Sequence, residues 1–444
     1  MDKRGACPTL REPMPTGDGL LVRLSPAGMG WSPSDLAALA RAAARFGSGI
    51  LEITRRGNLQ IRGLTPSNAA ALADHVEELA IPLRNGLAID TGPLAGIDAD
   101  EIIDPLPLAR DLNETVEAAG LTARLAPKMS VIIDGGGALG MGDVIADVRL
   151  TAEVASRGDW RIAVGGSALT ARPLGLIAAS EAVSAIVLLL EAIAAKGKMA
   201  RGRELTEGEL AALSGVLPLR RGKAGAISAG EVARRSRDGV GVGASSRGAV
   251  PVGRFALKDV RLAAAVALPF GQVDAATLTA FCTDIMEAGA AEIRLSPGRG
   301  LIVPGMGVET CLNLEAKAAA LGFITDAADP RLAIAACAGA PFCGSAHIAT
   351  RALCAEIATQ APELLVGRTL HVSGCDKRCA EPPAPDITIL GTADGCLVLP
   401  GDGRTDPTEQ PVAAEEALAA LRRVADTERA QEHEPARDPQ PAES

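Results

Sequence analysis

Nine cysteines stand in this 444-residue chain, and four of them fall into two close pairs. Cys337 and Cys343 form C-x5-C in "ACAGAPFCGSAH", and Cys375 and Cys379 form C-x3-C in "GCDKRCAEP". Four thiolates on two glycine- and proline-bearing loops can give each iron of a cubane [4Fe–4S] cluster its own sulfur. Small neighbours such as Ala338, Gly339, Gly344 and Gly374 let backbone N–H groups approach it. A structural zinc is the other reading, although zinc usually takes tighter C-x2-C knuckles. In a reducing compartment such pairs point to a metal or to catalysis before disulfides. Cys7, Cys282, Cys311, Cys354 and Cys396 are isolated and read as small buried hydrophobes.

A second group of residues is basic. In "EITRRGNLQIRGL", Arg56 and Arg62 are expected on one face of an extended strand with Asn58 and Gln60 between them, while Arg55 points away. A solvated sheet face explains Gln60 and Arg62 equally well, but the pattern recurs. Arg23 lies on the first strand, Arg84 follows the second helix, Lys128 opens a later strand, and Arg294 and Arg299 occupy the corresponding hairpin of a second module. Arginine and lysine at these places suit a ligand with many carboxylates, arginine in bidentate fashion. With four histidines in the chain, a 2-His-1-carboxylate iron site would draw on His75, His347 and His371, since His433 lies in the tail. The other reading of these histidines is a core or hydrogen-bonding role.

The elements that must position these groups are legible in the periodicity. A strand from "GDGLLVRLSP", a helix over Ser32 to Arg45 capped by Ser32 or Ser34, a strand-like "GILEITRRGNLQIRGL" and a helix over Ser67 to Glu78 give a β-α-β-β-α unit, as in ferredoxin-like modules. The order returns near residue 260. Each copy leads into an α/β region, and "KMSVIIDGG" lines up with "RTLHVSGC", which suggests a chain built twice. The predicted organisation is a leader at 1–16, a ferredoxin-like half-domain at 17–90 and an α/β domain at 91–200. A linker at 201–250, a second half-domain at 251–326, a cluster-binding α/β domain at 327–425 and a disordered tail at 426–444 complete it.

Composition narrows the function classes. Hydrophobic residues at 48% are enough for a sizeable core, and the formal charge of −10 argues against general affinity for nucleic acid or anionic lipid. No apolar leader follows Met1, and the most apolar run, Ala182 to Leu190, is far shorter than the ~20 residues of a membrane span. A cytoplasmic protein without membrane or nucleic-acid partners is expected. "GGGALGMG" from Gly135 and "GVGVGASSRG" from Gly239 lack the order of a dinucleotide fingerprint, so NADH is expected to act through a separate reductase.

The duplicated module, the C-x5-C and C-x3-C quartet and "TRRGNLQIRG" together resemble the sulfite/nitrite reductase superfamily, whose members bind a cubane cluster beside sirohaem. The resemblance spans about residues 17–425. It implies an α+β fold of duplicated ferredoxin-like half-domains and two α/β domains with a pseudo-twofold repeat. The strand motif T-x-R-Q-x-x-Q of that family falls on Thr54, Arg56 and Gln60, and its R-N element on Arg84. Its cluster ligands carry over to Cys337, Cys343, Cys375 and Cys379, the last bridging to sirohaem iron. Two departures stand out: Asp376-Lys377-Arg378 lacks the asparagine of G-C-x-N-x-C, and Pro127-Lys128-Met129-Ser130 keeps one of two proton-delivering lysines. Six-electron reduction of a small anion consumes many protons, so this loss argues against it.

"HVSGCDKRCAEP" resembles instead the signature of one branch, the precorrin-3B synthases of aerobic cobalamin synthesis. That resemblance implies an oxidoreductase, a monooxygenase that converts precorrin-3A to precorrin-3B with O2 by meso-carbon hydroxylation and γ-lactone formation. A [4Fe–4S] cluster and a mononuclear non-haem iron would serve it, with electrons from NADH. Arg23, Thr54, Arg56, Asn58, Gln60, Arg62, Arg84, Lys128, Arg294, Arg299 and Lys377 would then hold the macrocycle's carboxylates, with Arg56, Arg84 and Lys128 as the catalytic set. The competing readings are a sirohaem-dependent sulfite or nitrite reductase and a zinc-stabilised tetrapyrrole-binding protein without catalysis.

Overall fold

A computed structural model describes residues 8–155, 158–220, 251–382, 384–401 and 410–432. The chain divides into two compact units, meeting between Asp329 and Pro330.

The first unit begins with β1 (Met14–Thr16), β2 (Gly19–Leu24), α1 (Pro33–Phe46), β3 (Ile50–Ile53), β4 (Leu59–Leu64) and α2 (Pro66–Glu78). Both helices start by the same device. The Ser32 and Thr65 hydroxyls accept the backbone N–H groups of Asp35 and Asn68, and a proline follows each cap, where its missing N–H costs nothing. An α/β region follows with β5 (Ala88–Thr91), α3 (Leu106–Ala118), β6 (Ser130–Asp134), β7 (Ala146–Ala152), β8 (Asp159–Gly166), β9 (Arg172–Ala178), α4 (Ala179–Ala195) and α5 (Glu207–Val216). The second module then supplies β10 (Gly253–Ala256), β11 (Leu262–Ala267), β12 (Gln272–Asp274), α6 (Ala275–Glu287), β13 (Arg294–Ser296), β14 (Gly300–Met306) and α7 (Val308–Ala320).

The two modules exchange edges. One sheet has the order β1-β2-β4-β3-β12, so the first module's sheet is completed by a strand of the second, with Gln272 opposite Glu52. In return, Trp31 exchanges both backbone hydrogen bonds with Ile293, next to β13 in the sheet β10-β11-β14-β13. Helices α1 and α6 pack face to face, and Leu36, Leu39, Ala43, Leu278, Phe281 and Ile285 share one core. Each buried side chain of the leucine or phenylalanine class contributes about 1.5–3 kcal/mol, so neither module is expected to keep its fold without the other.

The α/β sheet runs β5-β6-β7-β8-β9, with β5, β6 and β7 parallel and the rest antiparallel. The second unit repeats this plan. It comprises β15 (Ile334–Ala336), α8 (Thr350–Gln360), β16 (Leu370–Ser373), β17 (Ile387–Thr392), β18 (Gly395–Pro400) and α9 (Ala417–Glu432). Strands β15, β16 and β17 are parallel, and β18 returns antiparallel. The alignment of "KMSVIIDGG" with "RTLHVSGC" corresponds to β6 and β16, each second in its sheet. Among the described residues no helix is long and apolar enough to cross a membrane.

Three boundaries differ from the sequence expectations. The leader contributes β1, which pairs with β2. Residues 201–220, expected as the start of a linker, are docked: Thr206 and Glu209 form a capping box on α5, and Leu205, Leu210 and Leu217 are buried in the α/β core. The Gly/Ser-rich stretch that suggested a linker falls in 221–250, outside the described residues. The expected tail begins inside α9, whose Ala, Arg and Glu residues are good helix formers, and 433–444 lie outside the described residues.

Candidate functional site

The segment expected as one extended strand through Arg56 and Arg62 is a hairpin. Thr54 N–H donates to the Asn58 carbonyl at 2.9 Å, Gly57 N–H returns to the Thr54 carbonyl at 2.9 Å, and the Thr54 hydroxyl accepts the Asn58 N–H at 3.1 Å. Gly57 takes φ +74°, and a Cβ there would lie 3.1 Å from the Ser296 carbonyl carbon. The turn therefore needs glycine for its own backbone and for the second module's β13–β14 hairpin, which abuts it through a Gly298 N–H to Arg55 carbonyl bond of 3.1 Å. Arg56 is carried on the tip of this turn rather than on the face that bears Arg62.

From the tip, Arg56 meets Arg84. Arg84 is anchored by its N–H to the Ser25 carbonyl at 2.9 Å, and its guanidinium donates to the Asp90 carboxylate at 2.6 Å. The other Asp90 oxygen lies 3.5 Å from Arg56. Asn58 Oδ1 accepts from the Ser25 hydroxyl and, at 3.5 Å, from Arg84. These groups line a cleft of about 100 Å³ with Met29 and Met141. Among the described residues no lysine lines it.

The floor is held by a residue that the sequence analysis missed. Arg149 on β7 is buried and donates to the Met141 carbonyl at 3.0 Å and to the Val144 carbonyl. Asp134, at the end of β6, accepts the N–H groups of Gly136 at 3.0 Å and Met141 at 2.9 Å. Burial lowers the Arg149 guanidinium to about 10; Asp134 and Asp143 act against this shift and Arg56 adds to it. Burial likewise lowers Arg55, again against Asp143. The signal available in the sequence was one arginine inside the strand-like run "IADVRLTA".

The other predicted basic residues have different partners. Arg62 donates to Asp18 at 2.8 and 3.1 Å and to Glu52 at 3.0 Å, which raises its pKa despite burial. Arg23 lies across the sheet from Gln60, whose amide oxygen, turned toward it, accepts at 2.8 and 3.2 Å. Arg294 is buried and reaches the Pro93 carbonyl at 3.1 Å and Glu292 at 3.0 Å. Arg299 sits in the β13–β14 turn with its chain over Gly271. Lys128 is not among the residues that line this cleft. It is exposed and precedes β6, whereas the cleft-lining Met141 follows that strand, and its neighbours Pro127 and Met129 line another hollow with Lys198. Ser130 is buried, with its N–H on Asp147 at 3.0 Å.

In the second unit, Cys337 leaves β15 and Cys375 follows β16, at the carboxyl ends of parallel neighbours, where open α/β sheets place ligands. The Cys-bearing loops are pinned together: Gly374 N–H donates to Cys337 Sγ at 3.1 Å, and His347 N–H donates to the Gly374 carbonyl at 2.8 Å. A Cβ at Gly374 would lie 2.6 Å from the Ala346 Cβ. Lys377 reaches across from one loop to the other, donating to the Ser345 hydroxyl at 3.1 Å. Exposure rises from buried Cys375 through Cys337 and Cys343 to exposed Cys379. The two joined loops thus carry all four thiols, with a backbone N–H already on the Cys337 sulfur.

Among the described residues no three His, Cys, Asp or Glu side chains converge as ligands of a single ion. His75 packs on Phe46 with ring centroids 5.5 Å apart, His347 is exposed and His371 is buried in β16; His433 lies outside the described residues. Cys282, Cys311, Cys354 and Cys396 are buried, and burial pushes the Cys282 thiol up to about 12.

Residues 12–79 match the nitrite/sulfite reductase ferredoxin-like half domain. The chain is 40% identical over 395 residues to a precorrin-3B synthase of Sinorhizobium sp., covering 88% of this chain and 82% of that protein. It is 25% identical to a ferredoxin–nitrite reductase of Synechococcus elongatus, covering 82% and 75% of the two chains. The solved structure of the Mycobacterium tuberculosis NirA protein superposes with TM-score 0.68 at 20% identity, over 95% of this chain and 82% of that one, a likeness of fold.

Proposed function

The chain belongs to the precorrin-3B synthase family, and on that premise we propose that it is an oxidoreductase that oxygenates precorrin-3A to precorrin-3B. One atom of O2 enters the substrate at a meso carbon, a ring acetate closes into a γ-lactone, and the other oxygen leaves as water with two electrons drawn from NADH through a separate reductase.

The observation that carries this reading is the cleft of Arg56, Arg84 and Asn58 without a lysine among its described lining residues. Arginine keeps its proton across the working pH range. Arg56 and Arg84 therefore anchor carboxylates and donate hydrogen bonds, but they do not deliver the many protons that reduction of sulfite or nitrite consumes. The carboxylates of a tetrapyrrole match donors of this kind, and Asn58 orients Arg84. Arg149 and Asp134 hold the backbone of Met141, which lines the cleft.

Cys337, Cys343, Cys375 and Cys379 are the residues to hold the [4Fe–4S] cluster. Bound there, a cubane would supply one-electron transfer; O2 activation would need a further iron, for which no three ligands converge among the described residues. Lys377 ties the two Cys loops, so its part is structural support of that site.

The test is anaerobic purification followed by iron, sulfide and visible-spectrum analysis, then turnover of precorrin-3A under ¹⁸O2. Acid-labile sulfide without sirohaem bands, and one labelled oxygen in the product, are expected. Stoichiometric sirohaem with sulfite or nitrite consumption overturns the proposal in favour of a reductase. Zinc without sulfide points to a binding protein.

A further inference from the structure

The two arginines of the cleft already have an anionic partner, and it belongs to the protein. Asp90 sits near the end of β5 with its backbone fixed by parallel pairing to Ile132. Its side chain is 12% exposed; one oxygen accepts from Arg84 at 2.6 Å, and the other lies at ion-pair distance, 3.5 Å, from Arg56 Nη2, a buried donor that makes no hydrogen bond among the described residues. The trio carries a net charge of +1, where the bare arginine pair would carry +2. The chain as a whole, at −10, offers no long-range attraction to an anion.

We infer that Asp90 is a specificity-determining residue, an internal carboxylate that occupies the arginine pair and excludes small anions while yielding to a ligand with several carboxylates. A monoanion that takes its place exchanges one negative charge for another on the same donors and leaves Asp90 unpaired in a mostly buried setting, so it gains little. A polycarboxylate that displaces Asp90 with one arm has further arms to bind elsewhere. Discrimination built this way rests on a repulsive element set against the wrong ligand. Asp90 also keeps two like charges together, so the arginines are pre-positioned when a ligand arrives. The inference rests on the proposal that this cleft binds substrate carboxylates, and it adds a means by which the cleft would discriminate against nitrite or sulfite.

The test is isothermal titration of the full-length protein with acetate, a single-carboxylate probe, in buffer free of other small oxyanions. Asp90→Asn preserves side-chain size and removes the charge, and is expected to bind acetate at least tenfold more tightly than the unmodified chain. The double variant Asp90→Asn, Arg84→Gln is expected to lose that gain, which locates it to the cleft. Asp90→Ser removes the same charge and serves if Asp90→Asn does not fold, circular dichroism being the check. Acetate affinity that is unchanged or weaker in a folded charge-free variant overturns the inference.

A parallel titration with a porphyrin octacarboxylate reads the substrate class separately. Failure of the unmodified chain to bind it counts against the macrocycle reading. Failure of the acetate gain alone counts against the role of Asp90.

Discussion

Replacing Arg149 by methionine isolates what a buried cation does under the cleft. The substitution keeps an unbranched apolar stem and removes the guanidinium that donates to the Met141 and Val144 carbonyls. Each orphaned buried acceptor costs about 1–3 kcal/mol, so the two together cost about 2–6 kcal/mol. Opposing this is relief of a desolvated charge. The guanidinium is lowered from 12.5 to about 10, and at 1.36 kcal/mol per pKa unit the strain removed is about 3 kcal/mol. The net destabilisation is at most about 3 kcal/mol, centred near 1 kcal/mol, and it falls on the segment between β6 and β7 rather than on the whole unit. The central value of about 1 kcal/mol changes a local opening equilibrium by about 5-fold, and the upper bound of about 3 kcal/mol changes it by about 150-fold. Native-state hydrogen exchange reads it directly, at the Gly136 and Met141 amides that donate to Asp134. Their protection is expected to fall by that factor while amides in α1 and α6 keep theirs. Arg149→Lys, with one point-like donor in place of the fork, is expected to fall between the two. Unchanged protection of Met141 in Arg149→Met refutes the idea that this arginine braces the floor.

Three further outcomes follow from the same contacts. Gly374→Ala puts a Cβ 2.6 Å from the Ala346 Cβ, an overpacking worth about 1–3 kcal/mol, and is expected to reduce bound iron and acid-labile sulfide while the α1–α6 core melts as before. Cys375→Ser is expected to abolish the cluster absorbance and Cys396→Ser, whose thiol lies buried on β18, to retain it; equal loss in both would mean the quartet is misassigned. Asp18 is held below its ordinary value of 3.8: burial pushes it up, but hydrogen bonds from Arg62 and Thr16 outweigh that. Its contribution is therefore fully present above pH 3.8 and is lost as pH falls through the folded-state value, so the stability gap between the unmodified chain and Asp18→Asn, measured by urea melts, should be flat near neutrality and close in acid.

How far the site was legible depends on whether its parts are local. The helix start at Ser32 and the duplicated strand order could be read because caps and periodicity act over a few residues, whereas the second helix, expected from Ser67, is capped two residues earlier by Thr65. The two Cys loops could be read because each pair is close in sequence, but their joining could not, since it depends on Gly374 meeting Cys337 across two parallel strands. The basic set was harder. Arg56 and Arg62 share one short segment, and treating it as one strand put them on one face. The glycine at 57 was the overlooked signal: its φ of +74° turns the chain, sending Arg56 to the cleft and leaving Arg62 to Asp18 and Glu52.

Arg149 poses the opposite problem. A charge inside a wholly buried strand is so costly that it persists only where carbonyls and carboxylates converge on it. Those partners, Asp134 at the end of β6 and Met141, Asp143 and Val144 from the loop between β6 and β7, meet Arg149 only in the folded chain, and nothing in the spacing of "DVRLTA" shows that loop folding back. An arginine at such a position is thus a better pointer to a site than one on an alternating face, because the alternating face has a solvated alternative and the buried strand has none.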